Sequence, residues 1–184
     1  MYIIITASPN KDGLTAACGR ASIEGIVGAG GEAELIDLCA AKTEACRVCG
    51  NGWGTCRESK CVIDDNLAEL QTKIRAAEGV VLITPVYWWQ PGERMKFFLD
   101  RFRRCEAFNK KDGAAIGKQF DLIAAAGGSG NGTAECLTEM EMWCRHVGAV
   151  IKDRIGITRF TREPMLDVIK DAGARMVKKE YFNP

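Results

Sequence analysis

"YIIITASPNKDGLTAA" occupies positions 2–17 and its reading decides the fold. "YIIITA" (2–7) is a short apolar run rich in β-branched residues, the pattern of a buried strand. "SPNKDG" (8–13) follows with turn chemistry. From Leu14 onward, Leu14, Cys18, Ala21 and Gly25 share one helical face, small enough for close packing against a sheet. A strand that turns directly into such a helix opens a βαβ unit if the alternation continues.

It continues to the end of the chain. "EAELIDL" (32–38) reads as a second strand, and Asn66 with Glu69 as a capping box. Leu67, Leu70, Ile74 and Ala77 then mark a helix. "GVVLITP" (79–85) is apolar throughout, as expected of a strand covered on both faces. Met95, Phe98, Leu99 and Phe102 form the next helical stripe, "FDLIAAAGG" (120–128) the fourth strand, and Leu137, Met140, Cys144 and Val147 the helix after it. "AVIKDRIGIT" (149–158) is the fifth strand, and Leu166, Ile169, Met176 and Val177 lie on a last helix. Strands alternating with helices, without repeats or a linker, predict one three-layer α/β domain over residues 1–184 with a parallel sheet.

Composition narrows the function. The 184 residues are 47% hydrophobic and 27% charged, with a net charge of +1, so no basic field invites nucleic acid. The longest uncharged stretch, Gly79 to Gly92, is too short to cross a bilayer and holds two prolines. The amino-terminal residues lack the basic region of a signal peptide, which gives a cytoplasmic expectation. Nine cysteines in a reducing compartment argue against a disulfide framework.

In a parallel α/β sheet, ligands bind beyond the carboxyl ends of the strands. Three loops are therefore the ones to read. "TASPNKDGLTAA" (6–17) precedes a helix amino terminus and offers an anion cradle, although an ordinary cap and turn would look the same. "TPVYWWQPG" (84–92) places Tyr87, Trp88 and Trp89 in a proline-bounded loop where a planar ring finds a stacking surface. "AAGGSGNGT" (125–133) is glycine-rich, which lets backbone approach a ligand closely.

Other motifs fail on context. "GAGGEA" (28–33) lies after a helix and before a strand, the reverse of the dinucleotide-binding order. "GAAIGKQ" (113–119) is one residue short of a P-loop, and "GGSGN" (127–131) misses the nucleophile elbow at its last position. His146, the single histidine, sits on a helix rather than a strand-end loop, so no histidine-dependent hydrolase is expected.

The phosphate-loop stretch "ASPNKDGLT", the stretch "TPVYWWQPGERMKFFLDR" and the loop "GGSGNG" together resemble the flavodoxin-like NAD(P)H-dependent FMN reductases and the related iron–sulfur flavoproteins, over about 160 residues. The resemblance implies a doubly wound five-stranded parallel sheet of order 2-1-3-4-5. It also implies bound FMN, with NAD(P)H as co-substrate. Ser8, Asn10 and Thr15, with the backbone of Gly13 and Leu14, would hold the phosphate. Pro85, Val86, Tyr87 and Trp88 would line the isoalloxazine, and Gly127, Gly128 and Ser129 would close the third side. Leu14 stands where the family often has Asn, and Ala7 where it usually has Gly; backbone donors survive both changes.

"CRVCGNGWGTCRESKC" (46–61) would follow the second strand. The iron–sulfur flavoproteins carry C-x2-C-x2-C-x4–7-C in this region, whereas Cys46, Cys49, Cys56 and Cys61 are separated by two, six and four residues. Thiolates at these spacings suit a 4Fe–4S cluster or zinc, and reduced structural or redox-active thiols are the third reading. Two functions are carried forward. In the first, an enzyme passes a hydride from NAD(P)H to FMN and on to a small acceptor such as a quinone or free flavin. In the second, an electron carrier passes single electrons to a protein partner; flavodoxin-type carriers are typically acidic, and a net charge of +1 weighs against it. A homodimer or homotetramer is the expected assembly.

Overall fold

Residues 2–6 are buried at every position and form the first strand of a sheet around which the chain is wound. The computed structural model describes residues 1–50, 54–109 and 111–180. Residues 51–53, most of the long middle gap of the cysteine stretch, lie outside the described residues, and Trp53 with them. The chain runs β1 (Tyr2–Thr6), α1 (Leu14–Gly28), β2 (Ala33–Asp37), α2 (Leu67–Ala76), β3 (Gly79–Tyr87), β4 (Gln90–Pro91), α3 (Glu93–Glu106), β5 (Gln119–Ala126), α4 (Thr133–Val147), β6 (Val150–Thr158) and α5 (Arg162–Lys178). Short 3-10 turns occupy Thr55–Glu58 and Arg159–Thr161.

The strand order is β2-β1-β3-β5-β6, all parallel, which is the expected 2-1-3-4-5 for the five principal strands. A sixth strand, β4, pairs antiparallel with the end of β3. The sequence reading lacked β4 because two residues carry no periodicity.

Side chains alternate between the two faces of the sheet and build two cores. Ile3, Ile5, Val80, Leu82, Phe120 and Leu122 face α2, α3 and α4 with Phe98, Phe102 and Trp143. Tyr2, Ile4, Val81, Ile83, Ile123 and Ile155 face α1 and α5. The small-residue face of α1 has a second use: a Cβ on Gly25 would lie 1.9 Å from the carbonyl oxygen of Lys170, so α1 and α5 meet backbone to backbone.

The start of α2 departs from the capping box. Asn66 is the N-cap, but its side chain makes no cap bond and its Nδ2 donates to Glu69 Oε2 at 3.1 Å. Asp65 Oδ1 accepts from Leu67 N at 3.1 Å instead. Asn66 Oδ1 is engaged elsewhere, accepting from Lys42 N at 3.0 Å as the preceding segment crosses the helix end. At the β5–β6 edge the register shifts between Phe120 and Leu122, and Asp121 Oδ1 accepts from the backbone N–H of Asp153 there at 3.2 Å.

Candidate functional site

Because β1, β3 and β5 are adjacent and parallel, their carboxyl ends deliver residues 7–13, 88–92 and 127–132 to the same edge of the sheet. Two cavities open there.

The first, about 250 Å³, is lined by Thr6, Ser8, Asn10, Thr15 and Asp37 and flanked by the cations Lys11 and Arg20. Ser8 Oγ accepts from Asn10 N at 3.3 Å and Asn10 Oδ1 from Asp12 N at 3.1 Å, so the side chains shape the loop themselves. Gly13 caps α1 without any side-chain bond, and the first turn of α1 has no acidic residue. A Cβ on Gly13 would lie 3.0 Å from the Asn10 amide, a tight contact that a larger residue could keep only by shifting that side chain. An uncapped helix end with free N–H groups, beside two cations, fits a phosphate monoester. Of the expected cradle residues, Ser8, Asn10 and Thr15 line this cavity. Gly13 and Leu14 start the helix, and Leu14 packs toward the α1–α5 core.

The second cavity, about 200 Å³, lies between the loops after β3 and β5 and is lined by Val86, Trp88, Trp89, Gly128, Ser129 and Asn131, none of them charged. A Cβ on Gly127 or Gly128 would meet nothing within 4 Å, so this wall is open to a ligand. Uncharged, partly aromatic walls fit a flavin ring. Pro85 and Tyr87 are not among the lining residues: Pro85 is buried in the sheet opposite Ala125, and Tyr87 pairs with Gln90. Trp89, expected in the stacking surface of this loop, lines the cavity; Asn131, which also lines it, had no assigned place in the sequence reading, since nothing in a loop sequence says which side chains turn inward.

The cysteine stretch builds a third feature. Cys46, Cys49, Cys56 and Cys61 line one small cavity with Arg47, Ile63, Arg101, Arg104 and a fifth cysteine, Cys105. Cys105 lies one helical turn after Arg101 on α3, and nothing in the linear sequence singles it out. The buried Arg101 donates to both carboxylate oxygens of Asp65, to the Glu44 carbonyl at 3.2 Å and to Cys61 Sγ at 3.2 Å. Burial opposes ionisation of Asp65, but the bonds from Arg101, Glu44 and Leu67 hold its carboxyl below the usual range. Burial, with the nearby Cys61 and Cys56, pushes the Cys105 thiol up to about 12. Cys39 lies apart, its backbone N–H donating to Asp37 Oδ1 at 2.8 Å. Four thiols with cationic neighbours are the donor set of an iron–sulfur cluster. Among the described residues no three Cys, His, Asp or Glu side chains surround a single ion position. The cavity has a volume of about 20 Å³, room for one water and smaller than a cluster.

The described fold and the two strand-end cavities define a flavodoxin-like α/β protein. The family described as NADPH-dependent FMN reductase matches residues 2–158, and the chain belongs to it. It is accordingly an oxidoreductase that works with FMN and NAD(P)H. An iron–sulfur flavoprotein of Methanosarcina thermophila is 29% identical over 153 residues, covering 80% of this chain and 74% of that protein. An iron–sulfur flavoprotein of Methanocaldococcus jannaschii is 32% identical over 100 residues, 54% of this chain and half of its own length. Among solved structures, an NAD(P)H:quinone oxidoreductase from Methanothermobacter marburgensis superposes with a TM-score of 0.74 at 19% identity, over 100% of this chain and 98% of that one. An archaeal flavodoxin gives 0.65 at 17% identity, over 97% and 98%. At these identities the structures speak for the fold alone. Among the described residues, no helix is long and apolar enough to cross a membrane.

Proposed function

We propose that residues 1–184 act as one FMN-binding domain that takes a hydride from NAD(P)H and delivers the electrons to a small acceptor. The observation that carries this reading is the pairing of an uncapped helix amino end, flanked by cations, with an uncharged ring-sized cavity at the same sheet edge. In this reading Ser8, Asn10, Gly13, Leu14 and Thr15 hold the phosphate by side-chain and backbone donors. Val86 and Trp88 flank the ring on one side, with Pro85 and Tyr87 belonging to the strand end that carries them, and Gly127, Gly128 and Ser129 bring backbone to its other side. FMN, when bound, supplies the two-electron chemistry, and the chain positions it. Thr84 contributes to that positioning: its Oγ1 and the Pro85 carbonyl both accept from Gly92 N, at 2.9 and 3.0 Å, which ties the two ends of the aromatic loop together. The test is to release the flavin by denaturation and identify it, then to follow NAD(P)H oxidation with an added quinone. Stoichiometric FAD, or no affinity for FMN on reconstitution, sinks the reading.

A second reading rests on the shared cysteine cavity. Cys46, Cys49, Cys56 and Cys61 would ligate a 4Fe–4S cluster and the protein would pass single electrons to a partner protein. Both relatives named above are described as iron–sulfur flavoproteins, which supports it. Iron analysis after anaerobic reconstitution separates the two readings.

A further inference from the structure

The segment between β2 and α2 meets the first turn of α3 at the edge where the parallel strands end, on the face of the sheet covered by α2 and α3. A cavity of about 630 Å³ opens there, lined by Lys42, Thr43, Glu44, Asp64, Arg94 and Phe97 together with Ala45, Asp65 and Asn66. It is larger than either of the two cavities read above as the FMN site, and it falls in the range of about 300–1,000 Å³ usual for organic ligands. Its charges are unevenly spent. Glu44 is paired with Arg47 at 2.5 Å, and Asp65 is held by Arg101. Lys42, Arg94 and Asp64 form no ion pair among the described residues, which leaves two cations facing one carboxylate. Arg94 lies over the ring of Phe97, 6.0 Å from its centroid, and its Nη1 donates to the Thr43 carbonyl at 3.4 Å. Thr43 itself is 2% exposed, and its Oγ1 has no hydrogen-bond partner among the described residues. Buried hydroxyls are nearly always bonded, so an unbonded one in a cavity wall marks a place where a polar partner belongs.

We propose that this cavity seats the adenosine-phosphate half of the nicotinamide nucleotide, with Lys42 and Arg94 on phosphate, Phe97 against the adenine and Asp64 on the ribose hydroxyls. The proposal rests on the oxidoreductase reading above and locates its electron donor. Each part of the ligand meets matching chemistry. A guanidinium and an ammonium without carboxylate partners suit phosphate oxygens, and the planar guanidinium can meet two of them at once. A carboxylate accepts from ribose hydroxyls, as an acidic residue does in other dinucleotide sites, and it opposes a bare anion. A half-buried ring that already carries a guanidinium offers a purine a stacking surface. Placement agrees with this division of the ligand. In the reading above, the two smaller cavities take the phosphate and the ring of FMN, so the nicotinamide has to reach the flavin while its adenosine half lies elsewhere on the same edge. Arg94 stands two residues beyond Gly92, the residue that closes the aromatic loop onto Thr84.

The test titrates the FMN-loaded protein with adenosine 2′,5′-bisphosphate, 5′-AMP and inorganic phosphate by calorimetry, in wild type, Lys42→Ala, Arg94→Ala and Arg94→Lys. KM is measured for NADPH, for NADH and for reduced nicotinamide mononucleotide, which has no adenosine. The bisphosphate should bind wild type, and each Ala variant should weaken it about tenfold, the usual effect of losing one charge-assisted contact. Arg94→Lys should keep part of the affinity. KM for NADPH should rise about tenfold in each Ala variant, well beyond any rise for the mononucleotide. A change confined to NADPH and the bisphosphate puts the cations on the 2′-phosphate, whereas an equal change for NADH and 5′-AMP puts them on the pyrophosphate; both support the proposal. Failure of both adenosine nucleotides to bind, affinities unchanged in both Ala variants, or an equal rise for the mononucleotide overturns it. So does inorganic phosphate binding as tightly as the bisphosphate, which would make this an anion site only. Arg94→Ala also removes the bond to Thr43, so melting temperature and FMN content are recorded throughout, and the exposed Lys42 decides the matter if Arg94→Ala is destabilised. Loss of FMN from Lys42→Ala assigns that residue to the cofactor and overturns the proposal. If wild type binds the bisphosphate but oxidises none of the three nicotinamide donors, the oxidoreductase reading is what fails.

Discussion

Arg101 Nη2 donates to Cys61 Sγ across 3.2 Å, and the same guanidinium grips both oxygens of the buried Asp65. One residue of α3 thereby fastens the end of the cysteine stretch and the start of α2. Arg101→Ala leaves Asp65 charged, buried and unpaired, and should destabilise the fold by about 3–5 kcal/mol in urea unfolding. Adding Asp65→Asn should recover part of that loss, and a simple sum of the two single effects would contradict the coupling.

The cysteine cavity makes a stoichiometric prediction. A cluster held by Cys46, Cys49, Cys56 and Cys61 gives about four iron per chain after anaerobic reconstitution, lost in each of the four single Ser variants. Metal-free protein after that treatment rejects the cluster, and partial sensitivity confined to one or two positions points to redox-active thiols.

At the phosphate loop, Thr15→Ala and Ser8→Ala should each weaken FMN binding by about 1–2 kcal/mol if the hydroxyl meets a charged phosphate. Fluorescence titration of the apoprotein reads this directly. Affinity unchanged in both variants would move the phosphate off this cradle.

The α1–α5 contact predicts opposite outcomes for two glycines of one helix. Gly25→Ala drives a methyl into the Lys170 carbonyl and should cost about 1–3 kcal/mol or more, since backbone cannot swing aside. A Cβ on Gly28 meets nothing within 4 Å, so Gly28→Ala should be stabilising by about 0.4–1 kcal/mol. Thermal melts of the two variants decide it.

Burial, and then the neighbouring Asp153, push the Asp121 carboxyl up to about 8. Unfolded aspartate titrates near about 3.9, so between these values the folded protein keeps a proton that the unfolded chain has lost. The associated stability is complete below about pH 4 and is lost as the pH rises through about 8. Asp121→Asn should flatten that decline while its amide oxygen still accepts from Asp153 N, and melting curves at pH 5 and pH 8.5 test it.

The fold was legible because its signals are local. β3 reads as a central strand since both of its faces are buried and every position from 79 to 85 except Thr84 is apolar. The helices read from stripes such as Met95, Phe98, Leu99 and Phe102, whose spacing is set by the helix period alone. The three loops could be placed at one edge because parallel strands all end on the same side. Legibility stopped where a partner is far along the chain. Asp65 replaces the capping box at α2 because Asn66 is drawn to Lys42, 24 residues away. Arg101 looks like one more surface charge until folding buries it against Asp65 and Cys61, 36 and 40 residues upstream. The left-handed turn at Trp88–Trp89 runs against local preference altogether, and only the pairing of β4 with β3 forces it. Periodicity and turn chemistry in the sequence were enough for the alternation of strands and helices and the edge where ligands meet, while the order of strands came from the family resemblance. Which side chains converge there was decided by tertiary contacts, because desolvation, charge pairing and backbone strain depend on neighbours that the linear order does not contain.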